Sequence, residues 1–358
     1  MRFYDKSLAD SESLTRQYDG VDLVKFLCAL LVIMLHTSIL RDVNPLLHAG
    51  IRDYIGRLAV PFFFTAAGYF LFRKTDEHSF DKAVPLRYAG RILRMYLIWT
   101  VIYAPLSLME LSDLYAHPVL EWIHYFLFAG SFPHLWYLRA TVVATLILTF
   151  LMCKRVPLKD ILTAAAGLYI LGLIPYAYTG LLKRAPLLWN TFEAYERVFI
   201  TTRNGLFEGF PFMSLGMWLA YRPLRMRSRT ILAGSLLSFL LLLIEAAVIY
   251  KMRWASKTDT YLFLPAATFF LFVFSAHMEL APGRSYRYLR SLSTVVYLTH
   301  MAFVRLAKKG CAYLAWRLKL PVNHSLIIFF AALLPCLATS VLILKLADKF
   351  PRIQKLYA

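Results

Sequence analysis

Ten stretches of about twenty mostly apolar residues recur along this chain, more than a water-soluble fold can hide. They run over 22–41, 54–73, 88–108, 135–153, 159–178, 205–222, 229–250, 261–280, 292–314 and 325–347. A hydrocarbon layer about 30 Å thick accepts each of them as a single helix. The composition agrees: 59% of the 358 residues are hydrophobic, against about 45–50% in soluble domains, and the mean hydropathy is +0.56. The 22 Tyr and 7 Trp suit membrane interfaces, where an apolar ring meets a polar tip. The expectation is an all-α, polytopic integral membrane bundle of about ten transmembrane helices. It forms one membrane domain over 21–350, between a polar N-terminal lead (1–20) and a short tail (351–358). The stretch 119–130 is too short to span and reads as an interfacial or re-entrant helix.

The net charge of +19 is not a sign of nucleic-acid binding, because the basic residues cluster between the apolar runs. There they report topology and contact with anionic lipid headgroups. With the N-terminus placed in the cytoplasm, 23 of the 40 Lys and Arg fall on the cytoplasmic side and 14 outside. Lys25, Arg139 and Arg305 lie inside apolar runs. Both termini are therefore expected in the cytoplasm of a cell-membrane protein. Cys28, Cys153, Cys311 and Cys336 have no metal-ligand or redox spacing and are expected to be buried and inert. No metal site is expected.

Ionisable groups within a span are expensive and mark candidate function. The first run carries Asp22, Lys25 and His36. Lys25 and His36 are 11 residues apart, so they share a helix face and lie about 16 Å apart along the axis. Two readings stand at this point. They line a route between two aqueous compartments, or Lys25 reaches the headgroups while His36 satisfies a buried hydrogen bond. Lys25 also has Asp22 three residues away as a candidate partner in a buried ion pair.

These residues also carry a resemblance. Lys25 followed ten residues later by His36, with Asp22 ahead of them, resembles the first-helix signature of the acyltransferase-3 family of membrane acyltransferases. RLAVPFFFTAAGYFLF (Arg57–Phe72) is similar to the family's second-helix block, with Ala67-Gly68 where Ser-Gly is usual. Arg91 and Arg94 resemble the paired arginines that open its third helix, and His300 in TVVYLTHMAF sits in a setting typical of a late helix. HLWYL (134–138) and GLFEGFPFMSLGMWLA (205–220) also fit. The match looks especially like the branch that includes the membrane domain of vancomycin-resistance serine racemases. Those proteins add a pyridoxal-phosphate domain; if this chain is complete, racemisation is not expected of it.

The resemblance implies transfer of an acyl group, commonly acetyl, from cytoplasmic acyl-CoA to a hydroxyl of a glycan or lipid-linked sugar outside. Acyl-CoA (acetyl-CoA) is then a co-substrate, with no tightly bound cofactor. It casts His36 as general base or transient acyl carrier, and Arg91, Arg94, Arg87 and Lys25 as contacts for the CoA phosphates. Glu208 would orient His36 or bind acceptor hydroxyls, and His300 would line the acceptor pocket. Trp136 and Tyr137 would stack on a sugar, or else serve as interface-belt aromatics. Asp22 would contribute to substrate binding. The alternative from the same branch is a serine-uptake or transport module.

Overall fold

The computed structural model describes residues 18–112, 114–222, 226–280, 283–319 and 324–358, and all its regular elements are helical. Residues 1–17 of the expected lead lie outside the described residues. The chain opens with α1 (Asp19–Thr37) and continues with α2 (Pro45–Phe72), α3 (Ala83–Ser112) and the short α4 (Pro118–Phe128). Then come α5 (Trp136–Cys153), α6 (Leu158–Ala177), α7 (Pro186–Phe199) and α8 (Phe210–Tyr221). α9 (Ser228–Met252), α10 (Leu264–His277), α11 (Arg284–Leu318) and α12 (Ser325–Lys349) complete the bundle.

Local chemistry sets the ends of these helices. α1 stops at Ser38, whose left-handed backbone (φ 55°) closes the helix through bonds to Leu35 and Met34 carbonyls. Asn44 caps α2, its side chain accepting from the Leu46 and Leu47 amides at 3.1 Å, and Pro45 takes the first helical position. Asn204 plays the same part ahead of α8.

All ten expected segments are helical, but length and apolarity qualify seven of the helices as membrane spans. The exceptions have physical causes. The sixth run opens as a π turn, Gly205–Gly209, which leaves a regular α8 of only 12 residues. α10 is 14 residues long. α11 is long enough at 35 residues, about 52 Å, but it carries basic residues at both ends and His300 in the middle. α4 is the expected short helix. It buries none of its residues, lies against α3, and receives Arg139, whose guanidinium donates to the Leu127 and Phe128 carbonyls at its C-terminal end. Between the fifth and sixth runs, residues 179–204 hold the amphipathic α7. Of the four thiols, Cys153 at the end of α5 is exposed rather than buried.

α2 and α8 make the closest helix pair. A Cβ built on Gly68 would lie 2.3 Å from the Met213 carbonyl oxygen, and one on Gly216 would lie 2.1 Å from that of Thr65. The two glycines admit each other's backbones, the device by which helices associate where lipid removes the usual apolar driving force. This explains why Gly68 sits beside Ala67 in the middle of an otherwise bulky helix. Gly68→Ala and Gly216→Ala should each cost about 1–3 kcal/mol, seen as a lower melting temperature of the detergent-purified protein. Gly167→Ala, which meets open space, should leave it unchanged or slightly raised.

Candidate functional site

Helix ends rich in lysine and arginine converge at one end of the bundle, and there they enclose a cavity of about 1040 Å³. α1 contributes Lys25, the end of α2 Arg73 and Lys74, the start of α3 Arg87 and Arg91, and the start of α11 Arg287 and Arg290. Several of these cations rest on aromatic rings rather than on carboxylates. Lys25 Nζ lies 4.6 Å from the Phe70 ring centre, Arg91 lies 5.3 Å from that of Tyr88, and Arg73 lies 4.9 Å from that of Tyr18. A cation–π contact holds a charge without cancelling it, so the wall stays positive.

Arg290 is the exception. Its guanidinium holds both oxygens of Asp22, at 2.6 to 3.0 Å, and Asp22 is 0% exposed. Of the candidate partners, Asp22 does not take Lys25. Asp22 bonds across to α11, and this commits it to structure rather than leaving it open to substrate. Arg94 also departs from its expected place. It is absent from the cavity wall and reaches toward the Ala358 carbonyl at 3.5 Å, while Tyr357 and Ala358 line the cavity mouth in its stead.

Deeper in, the cavity ends on Tyr137 and Tyr297, whose rings meet edge to face at 5.5 Å. Behind this pair lie three imidazoles. His300 is centred 5.4 Å from His36 and 5.0 Å from His134, and Tyr297 is 6.0 Å from His300. The elements explain the meeting. α1 and α11 start at the basic end, run side by side in the same direction, and bring His36 and His300 to one level. His134 enters from the short turn before α5, where Tyr297 donates to its carbonyl and Tyr103 packs on its ring at 4.9 Å.

Carbonyl oxygens only accept, so hydrogen bonding assigns two of the tautomers. His300 Nδ1–H donates to the Tyr297 carbonyl at 2.6 Å, and His134 Nε2–H donates to the Leu298 carbonyl at 3.2 Å. Each ring keeps one bare lone pair, His300 Nε2 and His134 Nδ1. Both atoms are buried, and neither finds a partner among the described residues. His36 is half-buried. Neutral imidazoles with free nitrogens are acceptors for a proton from a hydroxyl.

The remaining expected residues lie elsewhere. Glu208 sits in the π turn before α8, buried, with one carboxylate oxygen unpartnered. Its charged neighbours are Arg203, Asp259 and Arg57, a cluster at the end of the bundle away from the basic cavity. Trp136 is not a belt residue. It is 8% exposed and packed between Phe64 and the Arg203 guanidinium, 5.0 Å from its ring centre. Sequence reasoning missed His134, Tyr297, Arg73, Lys74, Arg287 and Arg290. His134 and Tyr297 stand in stretches that carry the resemblance, HLWYL and TVVYLTHMAF, but no spacing rule links residues 134 and 300.

Fold and site together define an all-helical membrane protein in which a basic cavity backs onto buried histidines. Residues 18–345 match the family model described as an acyltransferase domain, and the chain belongs to the acyltransferase-3 family. It is 31% identical over 287 residues to a serine/alanine racemase of Enterococcus gallinarum, an alignment covering 78% of this chain and 40% of that protein. It is 28% identical over 290 residues to an amino-acid racemase of Enterococcus faecalis, covering 79% and 40%. The chain thus spans less than half the length of these curated relatives. No solved structure gives a significant match.

The Asp22–Arg290 bond is open to direct test. Arg290→Gln leaves a fully buried carboxylate short of its partner, a loss of about 1–3 kcal/mol. Thermal unfolding in detergent should show the single variant destabilised. Adding Asp22→Asn should restore part of the loss, because the orphaned charge is then gone. A double variant no more stable than Arg290→Gln alone would contradict this account of the pair.

Proposed function

We propose that the protein transfers an acyl group, acetyl in the simplest case, from acyl-CoA to a hydroxyl of a glycan or similar acceptor. The observation that carries the reading is the cavity of uncancelled cations ending one aromatic layer short of three imidazoles. Arg87 and Arg91, with Lys25, Arg73 and Lys74, suit the phosphates of CoA, since guanidinium groups bind phosphate oxygens through paired charge-assisted bonds. The basic excess at this end favours a cavity mouth on the cytoplasmic side of the cell membrane, where acyl-CoA is found. The pantetheine arm then runs along the apolar wall of α1 toward Tyr137 and Tyr297.

The chemistry follows from the imidazoles. His36 takes the proton of the acceptor hydroxyl, and the hydroxyl oxygen attacks the thioester carbonyl carbon. The new C–O bond forms as the C–S bond breaks, and the departing thiolate recovers the proton. His300 and His134, held by backbone carbonyls, keep two further acceptor atoms beside the reacting hydroxyl. Residues Glu208 and Trp136 take no part in this step.

General-base assistance is worth about 10²–10⁴-fold in rate. His36→Ala and His36→Gln should therefore both cut acceptor-dependent release of CoA thiol from acetyl-CoA by at least about 100-fold, with acetyl-CoA binding retained. Most of the activity surviving in His36→Gln would make His36 a structural hydrogen-bonder. The cavity assignment has its own measurement. Arg87→Gln and Arg91→Gln should each weaken acetyl-CoA binding about tenfold or more, while Arg94→Gln, outside the wall, should change it far less.

A second reading, that the chain takes up serine or a similar amino acid, starts from the racemase names of the curated relatives. Accumulation of labelled serine in proteoliposomes, lost in His36→Gln, together with no thiol release from acetyl-CoA, would establish that reading instead.

A further inference from the structure

The basic cavity is lined by aromatic rings as well as cations, and all but one of those rings are already engaged. Phe70 carries Lys25, Tyr88 carries Arg91 and Tyr18 carries Arg73. Phe63 meets Tyr137 at 6.0 Å, and Tyr137 meets Tyr297 at 5.5 Å. Tyr357 is the exception. It lines the cavity, half-buried, and among the described residues no cation or second ring lies against it. Its main chain is held on both sides. Trp99 Nε1 donates to the Leu356 carbonyl at 2.8 Å, from an indole only 6% exposed, and Arg94 reaches the Ala358 oxygen at 3.5 Å. The Tyr357 and Ala358 amides both close onto the Gln354 carbonyl, at 3.0 and 2.8 Å, at the end of the tight turn Pro351–Leu356. Residues 356 and 358 are thus tied to α3 through their backbone, and the ring between them is what the segment presents to the cavity. Helix side chains lean toward the helix N-terminus, so Trp99 and Arg94 hold the segment near the level of Arg91.

An open aromatic face beside guanidinium groups fits a ligand that carries a flat heterocycle on the same scaffold as its phosphates. We propose that Tyr357 is the base-binding residue of the cavity, on which the purine ring of a nucleotide stacks while Arg87 and Arg91 take its phosphates. The inference rests on the acyl-CoA reading, in which that ring is the adenine of CoA. It names the residue that tells a nucleotide thioester from a simpler pantetheine one. Stacking uses the face of the base and needs no hydrogen bond to its edge. A platform clamped in advance also lowers the ordering cost of binding. Trp99 acts at one remove, as a positioning residue.

The test uses the protein in detergent and two probes. Adenosine 3′,5′-bisphosphate carries base and phosphates, and pyrophosphate carries phosphates alone. Tyr357→Ala should weaken equilibrium binding of the nucleotide about tenfold and leave that of pyrophosphate unchanged. Tyr357→Phe, which keeps the ring, should bind the nucleotide as the unsubstituted protein does. Arg91→Gln should weaken both probes. Trp99→Phe keeps an aromatic ring but loses the donor to Leu356, and should weaken the nucleotide alone by a smaller factor than Tyr357→Ala. The tyrosine variants keep the test sound should Trp99→Phe fold poorly. Nucleotide binding unchanged in Tyr357→Ala, an equal loss for both probes, or no binding of the nucleotide to the unsubstituted protein overturns the proposal. Acetyl-CoA turnover tests the reaction separately, and there Tyr357→Ala should raise KM about tenfold with kcat retained. Thiol release with the same KM in Tyr357→Ala keeps the enzyme and removes the base site. Nucleotide binding that depends on Tyr357, with no thiol release, does the reverse.

Discussion

The bond between Asp22 and Arg290 sets the register on which the rest of the site depends. It joins α1 to α11 near the ends from which both helices start. His36 lies 14 residues beyond Asp22, a rise of about 21 Å, and His300 lies 10 residues beyond Arg290, about 15 Å. The difference of about 6 Å is close to the reach of an extended arginine side chain, so a clamp at one end brings two imidazoles level well inside the bundle. A carboxylate fully removed from water is tolerable only with such a partner. The bond therefore acts as a gauge between the two helices as well as a contact.

The bundle treats its two populations of charge differently. At the basic end, cations lie on phenyl and phenol rings and stay available. Elsewhere they are consumed: Arg139 ends α4 and Arg57 takes most of Asp259. The wealth of Phe and Tyr that marks the chain as a membrane protein thus has a second use, as seats for cations at the cavity wall.

Much of the fold is legible because a bilayer reduces the problem to finding apolar runs. All ten runs become helices, and the caps at Ser38 and Asn44 follow from local chemistry. The details that are not legible depend on partners far away in sequence. The pairing of Asp22 with Arg290 spans 268 positions, and a carboxylate three residues from a lysine offers a nearer and wrong answer. The π turn at Gly205–Gly209 packs against α5, where a Cβ on Gly205 would lie 2.5 Å from Val143 Cβ, a contact distant in sequence. His36 and His300 stand out because each is an ionisable group within an apolar run. His134 does not, because it lies in a turn, where a histidine costs little and signals nothing until its neighbours are known. Glu208 is conspicuous, but its place among Arg203, Asp259 and Arg57 cannot be told from composition.

The aromatic pair that ends the cavity has a consequence for the cell rather than for the reaction. A shaft of cations entering from one face and a second cluster entering from the other would, if joined, short-circuit the membrane: ions and protons would run down the transmembrane potential through the imidazoles. Tyr137 and Tyr297 are a partition one ring thick between the two. On the acyl-transfer reading proposed above, a two-carbon group crosses the middle of the bundle only if that partition yields to the substrate and to nothing smaller. The thinness of the wall and its bulk are thus one compromise, between leakage and throughput.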